Sequence, residues 1–254
     1  MAYCELHYRS NSLEKHTAAG VILPEDTALQ PPFPVVYLLH GLSDDYTIWH
    51  RRTSIERYVE GLPLIVVMPD GGRGFYTDAA DGFPYEKAIT DDLIPIIDRF
   101  FPTIADRKGR AVGGLSMGGY GALRLALRRP DMFCSAVSHS GAVYFGHETL
   151  PPEDPRYREF ERIHGPNPKG GPNDLFALAR SVDRALMPAL RLDCGTEDFL
   201  IEHNRAFHAY LAELGIPHEY EEFPGSHEWP YWDQHVQEAL AFHVQQFRKT
   251  RALS

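Results

Sequence analysis

Apolar residues along this chain fall into two alternating patterns. One is short and continuous: Val35-Val36-Tyr37-Leu38-Leu39, Leu64 to Met68 and Arg110 to Leu115, then Cys134 to Ser138, Pro188 to Asp193 and His218 to Phe223. These runs of four to eight residues are bounded by Gly, Pro or Asp. That predicts strands, most of them buried on both faces as in a parallel sheet. The other pattern is longer and spaced at three and four. Ile89, Leu93, Ile96, Ile97, Phe100 and Phe101 predict an amphipathic helix that Pro95 should kink. Met117 to Arg129 predicts a helix stopped by Pro130, and Arg205 to Leu214 one stopped by Gly215. A last helix, Tyr231 to about Phe247, carries Val236, Leu240, Val244 and Phe247 on one face.

Strand and helix in alternation predict an α/β fold, a mainly parallel sheet with helices on both faces. Residues 2–22 read as extended and predict an antiparallel edge ahead of the parallel run. From about 143 to 186 the alternation breaks, with Pro151, Pro152, Pro155, Pro166, Pro168 and Pro172 among Gly165, Gly170 and Gly171. Only short helices fit there, around Arg156–Ile163 and Asn173–Val182. The stretch is too short for a core of its own, so we expect a lid-like insertion within a single domain spanning 1–254.

Composition narrows the function. Twenty-five basic and 35 acidic side chains leave a net charge of −10 with no basic run, which disfavours nucleic acid as a partner. Cys4, Cys134 and Cys194 are odd in number and far apart, with no CxxC pair, against a disulfide framework or a zinc ribbon. No apolar stretch approaches the ~20 residues of a membrane span. No basic segment followed by an apolar run opens the chain, so a cytoplasmic protein is expected.

The chemistry centres on Gly114-Leu115-Ser116-Met117-Gly118, which follows a predicted strand and opens a predicted helix. That is the context of a nucleophile elbow, a turn so tight that the serine's neighbours must lack bulk. The competing reading is a Gly-rich packing turn. A nucleotide loop fits less well, because no Lys follows and no GxGxxG is present. A serine nucleophile needs a base. Of 13 histidines, His227 alone sits on a loop after the last predicted strand, in Pro224-Gly225-Ser226-His227-Glu228-Trp229. The imidazole in turn needs a carboxylate. Asp193-Cys194-Gly195-Thr196-Glu197-Asp198 offers Asp198, past the Gly195 turn, with Glu197 as the fallback. Asp198 is equally placed to cap the following helix. For the oxyanion, the N–H of Met117 follows the nucleophile, and Gly41 would turn the loop after Leu39 so that Leu42 N–H faces inward.

These segments occur in a fixed order: Tyr37-Leu38-Leu39-His40-Gly41-Leu42, Pro69-Asp70-Gly71-Gly72-Arg73-Gly74-Phe75-Tyr76-Thr77-Asp78, Gly114 to Ala122, Gly195 to Leu200, and Gly225-Ser226-His227-Glu228-Trp229. Together they resemble the esterase D family of α/β-hydrolases over about residues 34–245. That family includes tributyrin-type esterases, S-formylglutathione hydrolases, feruloyl and acetylxylan esterases, and mycolyltransferases. The resemblance is closest to the tributyrin-type esterases. It implies an α/β-hydrolase fold, Ser116, Asp198 and His227 as the triad, and Leu42 and Met117 as the oxyanion hole. It leaves room for a homo-oligomer.

The segment Ser43-Asp44-Asp45 lacks the cysteine that S-formylglutathione hydrolases carry after the oxyanion glycine-leucine pair. Tyr76 and Asp78 are read as anchors of their loop. Trp229 and, less directly, Trp49 are candidates to line the substrate site. Arg73 is the candidate for a local positive spot. The expected activity is hydrolysis of short acyl esters by a serine carboxylesterase, with neither metal nor organic cofactor. An S-formylglutathione-type thioesterase, a feruloyl or acetylxylan esterase and an acyltransferase are the rival activities. A non-catalytic binding module on the same fold is the remaining alternative.

Overall fold

A computed structural model describes residues 1–253. Its eight strands are β1 (Ala2–Ser10), β2 (Lys15–Leu23), β3 (Val35–Leu39), β4 (Ile65–Pro69), β5 (Arg110–Leu115), β6 (Ser135–His139), β7 (Ala189–Gly195) and β8 (His218–Phe223). They form one sheet in the order β1-β2-β4-β3-β5-β6-β7-β8. β1 and β2 form an antiparallel hairpin, and β2 pairs antiparallel with β4. Every pairing from β4 to β8 is parallel. This is the α/β-hydrolase fold.

The α-helical segments among the described residues are α1 (Ile48–Arg52), α2 (Ile55–Tyr58), α3 (Tyr85–Lys87), α4 (Ile94–Phe100), α5 (Met117–Arg128), α6 (Tyr157–His164), α7 (Leu175–Ser181), α8 (Ile201–Glu213) and α9 (Trp229–Lys249). Strand residues alternate between two cores, as the period-two geometry of a strand requires. Val35, Tyr37 and Leu39 join Tyr120, Leu123 and Phe207 in one core, which lies against α5 and α8. Leu38, Val66 and Met68 join Trp49, Trp232 and Val236 in the other, against α1 and α9.

Two elements depart from the apolar pattern. Between α3 and α4 the helix widens into a π-helical segment, Ala88–Leu93. Pro95 has no N–H to give the preceding turn and its ring crowds that turn's carbonyls, and the wider turn accommodates both. α8 starts at Ile201, four residues before Arg205, because its buried stripe is Ile201, Asn204, Phe207 and Leu211. Asn204 hides that stripe in the sequence. Its side-chain amide is buried by donating to Gly141 O and Leu200 O, each at 3.0 Å.

The 143–186 stretch carries α6 and α7 and is tied down by α5. Tyr120 Oη donates to Asn173 O at 2.7 Å and Arg124 Nε to Asn173 Oδ1 at 2.9 Å. No helix among the described residues is long and apolar enough to cross a membrane.

Candidate active site

Ser116 joins β5 to α5 with φ +53° and ψ −115°, a conformation that costs a non-glycine residue energy and persists only where its surroundings over-determine it. Here they do. Its N–H donates to His139 O at 2.9 Å, and its carbonyl accepts from Tyr120 N at 3.0 Å and Ala142 N at 3.1 Å. The glycine spacing has a direct cause. A Cβ on Gly118 would stand 2.4 Å from Leu39 O, so only glycine lets α5 leave the strand so steeply.

His227 follows β8, and its Nε2 lies 3.0 Å from Ser116 Oγ. Its Nδ1 lies 2.8 Å from Asp198 Oδ2. A carboxylate only accepts, so Nδ1 carries the proton and Nε2 keeps its lone pair for the serine hydroxyl. Capping and orientation do not compete at Asp198, because each uses a different oxygen. Oδ1 accepts the Leu200 N–H at 2.8 Å while Oδ2 holds the imidazole. Burial pushes the Asp198 carboxyl up, but hydrogen bonds from His227 and the Leu200 N–H outweigh it and hold its pKa below the ordinary value.

Glu197 points elsewhere, its Oε2 accepting the Gly225 N–H at 2.6 Å. With Thr196 N to Phe223 O at 2.8 Å and Glu197 N to Gly225 O at 2.9 Å, it fastens the Asp198 loop to the His227 loop. The two loops touch so closely that a Cβ on Gly195 would stand 2.2 Å from Gly225 O.

Ser116 and His227 open onto a cavity of about 800 Å³ whose wall includes Gly41, Leu42 and Met117. Among the described residues neither the Leu42 nor the Met117 N–H meets a protein acceptor, so both amides are free for a ligand oxygen. Met117 N–H also opens α5, where unpaired amides favour negative charge.

Trp229 is on the wall. Trp49 is not: it is 1% exposed, donates Nε1–H to Leu39 O at 3.0 Å, and backs Trp229 edge-on at 5.3 Å. Its large apolar ring is captured by the core between α1 and the sheet, which corrects the expectation that it lines the site. Arg73 supplies no free positive spot, because its guanidinium is forked onto Glu159 at 2.6 and 2.8 Å. Tyr76 is fully buried and donates to His40 O, and Asp78 accepts the Lys87 N–H, so both hold their loop in place.

Several wall residues escaped the sequence reading. Tyr144, Phe145 and Phe160 come from the 143–186 stretch, Phe199 from the turn before α8, and His203 from the first turn of α8. Trp232 stands perpendicular to the His227 ring at 4.9 Å and donates Nε1–H to the buried Ser140 Oγ at 3.2 Å. In sequence it is indistinguishable from the apolar stripe that continues to Val236 and Leu240. The charged wall residues Asp44, Glu148 and Glu228 are acidic, and Arg156 is paired with Asp154 at 2.8 Å. Burial raises the Asp44 carboxyl above its usual value despite the Gly41 amide nearby.

A second histidine–carboxylate pair lies in the core. His139 Nδ1 hydrogen-bonds Asp193 Oδ1 at 3.0 Å, the oxygen that also accepts from Tyr231 Oη at 3.0 Å, while the buried Oδ2 meets no hydrogen-bond partner among the described residues.

The Esterase family model matches residues 10–243. The chain belongs to that family. An acetyl esterase of Caldicellulosiruptor saccharolyticus is 29% identical to this esterase, over 94% of the present chain and 97% of its own. Among solved structures, the substrate-bound fluorophosphonate-binding serine hydrolase F of Staphylococcus aureus superposes with a TM-score of 0.84 at 33% identity, covering 96% of this chain and 98% of that one. An S-formylglutathione hydrolase of the same organism, as apoenzyme, gives 0.82 at 33% identity, with coverage of 96% and 98%. The protein is therefore a carboxylic ester hydrolase of the serine-hydrolase type.

Proposed function

We propose that this esterase cleaves its substrate through Ser116, His227 and Asp198 by way of an acyl-enzyme. The observation that carries the reading is the unbroken chain from Ser116 Oγ to His227 Nε2 and from His227 Nδ1 to Asp198 Oδ2, opening onto a cavity beside two unpaired amides. Ser116 Oγ attacks the ester carbonyl carbon while its proton passes to His227 Nε2. The carbonyl electron pair moves onto oxygen, where the Leu42 and Met117 N–H groups stabilise it. Collapse expels the alcohol, which takes the proton from His227. Water then gives a proton to His227 and attacks the acyl carbon, and the second collapse frees the acid and returns the proton to Ser116. Every proton and electron pair is carried by these side chains, without metal or organic cofactor.

For the substrate, the reading is a short acyl ester with a neutral alcohol. A cavity of about 800 Å³ has the size of sites that take drug-sized ligands, so an acetyl group would leave room for a bulkier alcohol. Asp44, Glu148 and Glu228 are among the residues that line it, an acidic wall that opposes an anionic leaving group such as glutathione. We further propose that residues 1–254 work as one unit, with the 143–186 stretch as a lid that limits acyl size through Tyr144, Phe145 and Phe160.

Hydrolysis of p-nitrophenyl esters from acetate to octanoate, with Ser116→Ala as control, tests the reading. Rates should peak at the short acids and vanish in the variant. Undiminished hydrolysis by Ser116→Ala would remove the mechanism. Turnover of S-formylglutathione with neglect of acetate and butyrate esters would overturn the substrate.

A further inference from the structure

The Leu42 N–H belongs to the Gly41–Leu42 peptide. A trans peptide directs its C=O and N–H in opposite directions, so whatever grips the Gly41 carbonyl also aims the Leu42 N–H. His40 Nδ1 lies 2.7 Å from that carbonyl, and His40 Nε2 lies 2.9 Å from the Gly71 N–H. A carbonyl only accepts and an amide N–H only donates, so Nδ1 holds the proton and Nε2 the lone pair. The imidazole is thereby fixed as one neutral tautomer. Asp70 Oδ1 stands 3.6 Å from Nε2, outside hydrogen-bond range, and is taken by the Gly72 N–H at 2.9 Å. His40 itself is fully buried, and its carbonyl accepts from Tyr76 Oη at 3.1 Å.

The next carbonyl along the chain is gripped from outside. Arg73 Nη1 donates to Leu42 O at 3.3 Å, while its Nε and Nη2 fork onto Glu159 of α6. Gly41, without a side chain, offers little resistance to a flip of its peptide. A flip would present carbonyl lone pairs to the oxyanion in place of an N–H. His40, with the Asp44 N–H at 3.2 Å, therefore holds the Gly41–Leu42 peptide itself, while Arg73 holds the peptide that follows it, so Leu42 is fixed from both sides.

We propose that His40 and Arg73 are positioning residues that preset the Leu42 N–H for the oxyanion, and that Arg73 ties this donor to the 143–186 segment through Glu159. This rests on the reading that Leu42 N–H receives the oxyanion.

The test uses the full chain and five variants, His40→Ala, His40→Asn, Arg73→Ala, Glu159→Gln and the double variant of the last two, with active sites titrated to completion by a fluorophosphonate. The readouts are kcat and KM for p-nitrophenyl acetate and the inhibition constant of a trifluoromethyl ketone, which binds as a tetrahedral oxyanion. His40→Ala should lower kcat by about 100-fold, the scale of a lost oxyanion donor, with KM little changed and ketone affinity falling in parallel. His40→Asn puts an amide N–H near the place of Nδ1 and should recover most of that loss. Arg73→Ala and Glu159→Gln should each lower kcat about two- to fivefold, the scale of an exposed ion pair, and the double variant should fall no further than Arg73→Ala alone.

Unchanged kcat per titrated site in His40→Ala, a loss confined to KM, or additive Arg73 and Glu159 effects would each overturn the proposal. If His40→Ala does not fold, the Arg73 and Glu159 cycle decides it. Hydrolysis surviving in Ser116→Ala would instead overturn the parent reading. A dead Ser116→Ala beside a fully active His40→Ala would overturn the positioning role alone.

Discussion

Two histidine–aspartate pairs hang from the end of β7, and by contact distance they are twins. His227 meets Asp198 and His139 meets Asp193, in both cases Nδ1 to a carboxylate oxygen, at 2.8 and 3.0 Å. They differ at the other nitrogen. His227 Nε2 faces Ser116 Oγ and the His227 side chain is 19% exposed, whereas His139 is fully buried and its Nε2 meets no partner among the described residues. The same chemical unit is thus set toward a cavity in one place and closed into architecture in the other. In the core it ties β6 and β7 to Tyr231 of α9. Pairing alone does not make a reactive site; a nucleophile and an opening are also required.

The largest expected effects fall on the open pair. Ser116→Ala should lower kcat by at least about 10⁴-fold, and Asp198→Asn by about 10³–10⁴-fold, with KM little changed. Steady-state kinetics on p-nitrophenyl acetate checks both. The closed pair should respond in stability instead. Asp193→Asn breaks a fully buried pair and should cost about 3–5 kcal/mol in urea unfolding, while kcat per titrated site stays within about threefold. A variant with native stability and a thousandfold loss of kcat would erase the distinction.

Smaller effects sharpen it. Burial first, and His139 second, push the buried His243 down to about 3. Below the ordinary histidine range the unfolded chain takes up a proton that folded His243 refuses, so stability falls as pH is lowered from about 6.5 toward 3, by about 1.4 kcal/mol per pH unit. Burial also holds His164, His203 and His208 below their ordinary values, so the full slope has several contributors. Comparing urea midpoints at pH 7 and pH 5 for the parent and His243→Gln should show a shallower slope in the variant. Asp198 does not act in that window. Its lowered pKa contributes stability that is present above the ordinary carboxylate range and lost only as pH falls through the folded value.

The smallest effect concerns the solvent side of the open pair, where Phe199 is 72% exposed with its ring 4.6 Å from His227. Phe199→Ala should raise KM for longer acyl esters about threefold and leave kcat unchanged, as expected for lost uniform binding. A fall in kcat instead would mean that the ring helps to orient the imidazole.

Much of this is legible in the amino-acid sequence, because local geometry enforces it. Strands buried on both faces must be continuous apolar runs, and a steep strand-to-helix turn must have glycine at 114 and 118. The position of His227 after the last strand, and of Asp198 past Gly195, follows from the same sheet ends. The cavity wall was not readable, since no local rule governs it. Tyr144, Phe145 and Phe199 are aromatic residues in irregular segments or at a helix start, and Trp232 shares its helix spacing with core residues. Trp49 is a wall candidate by its place after the Gly41–Leu42 loop, and is core. Asn204 and Pro95 show the converse, where one residue hides the start of α8 or widens a turn.

The clasp between the 195–198 and 223–227 loops has a consequence for how this enzyme would change under selection. The loops that carry Asp198 and His227 are bound to each other by three backbone-anchored hydrogen bonds, so the two side chains move as a single part. The aromatic residues that line the cavity belong largely to a different part, fastened to α5 through Asn173. Mutations in that second part are insulated from the first. A library randomised at Tyr144, Phe145 and Phe160 should yield altered preferences among largely active clones, while one at Gly195, Glu197 and Gly225 should yield mostly inactive ones.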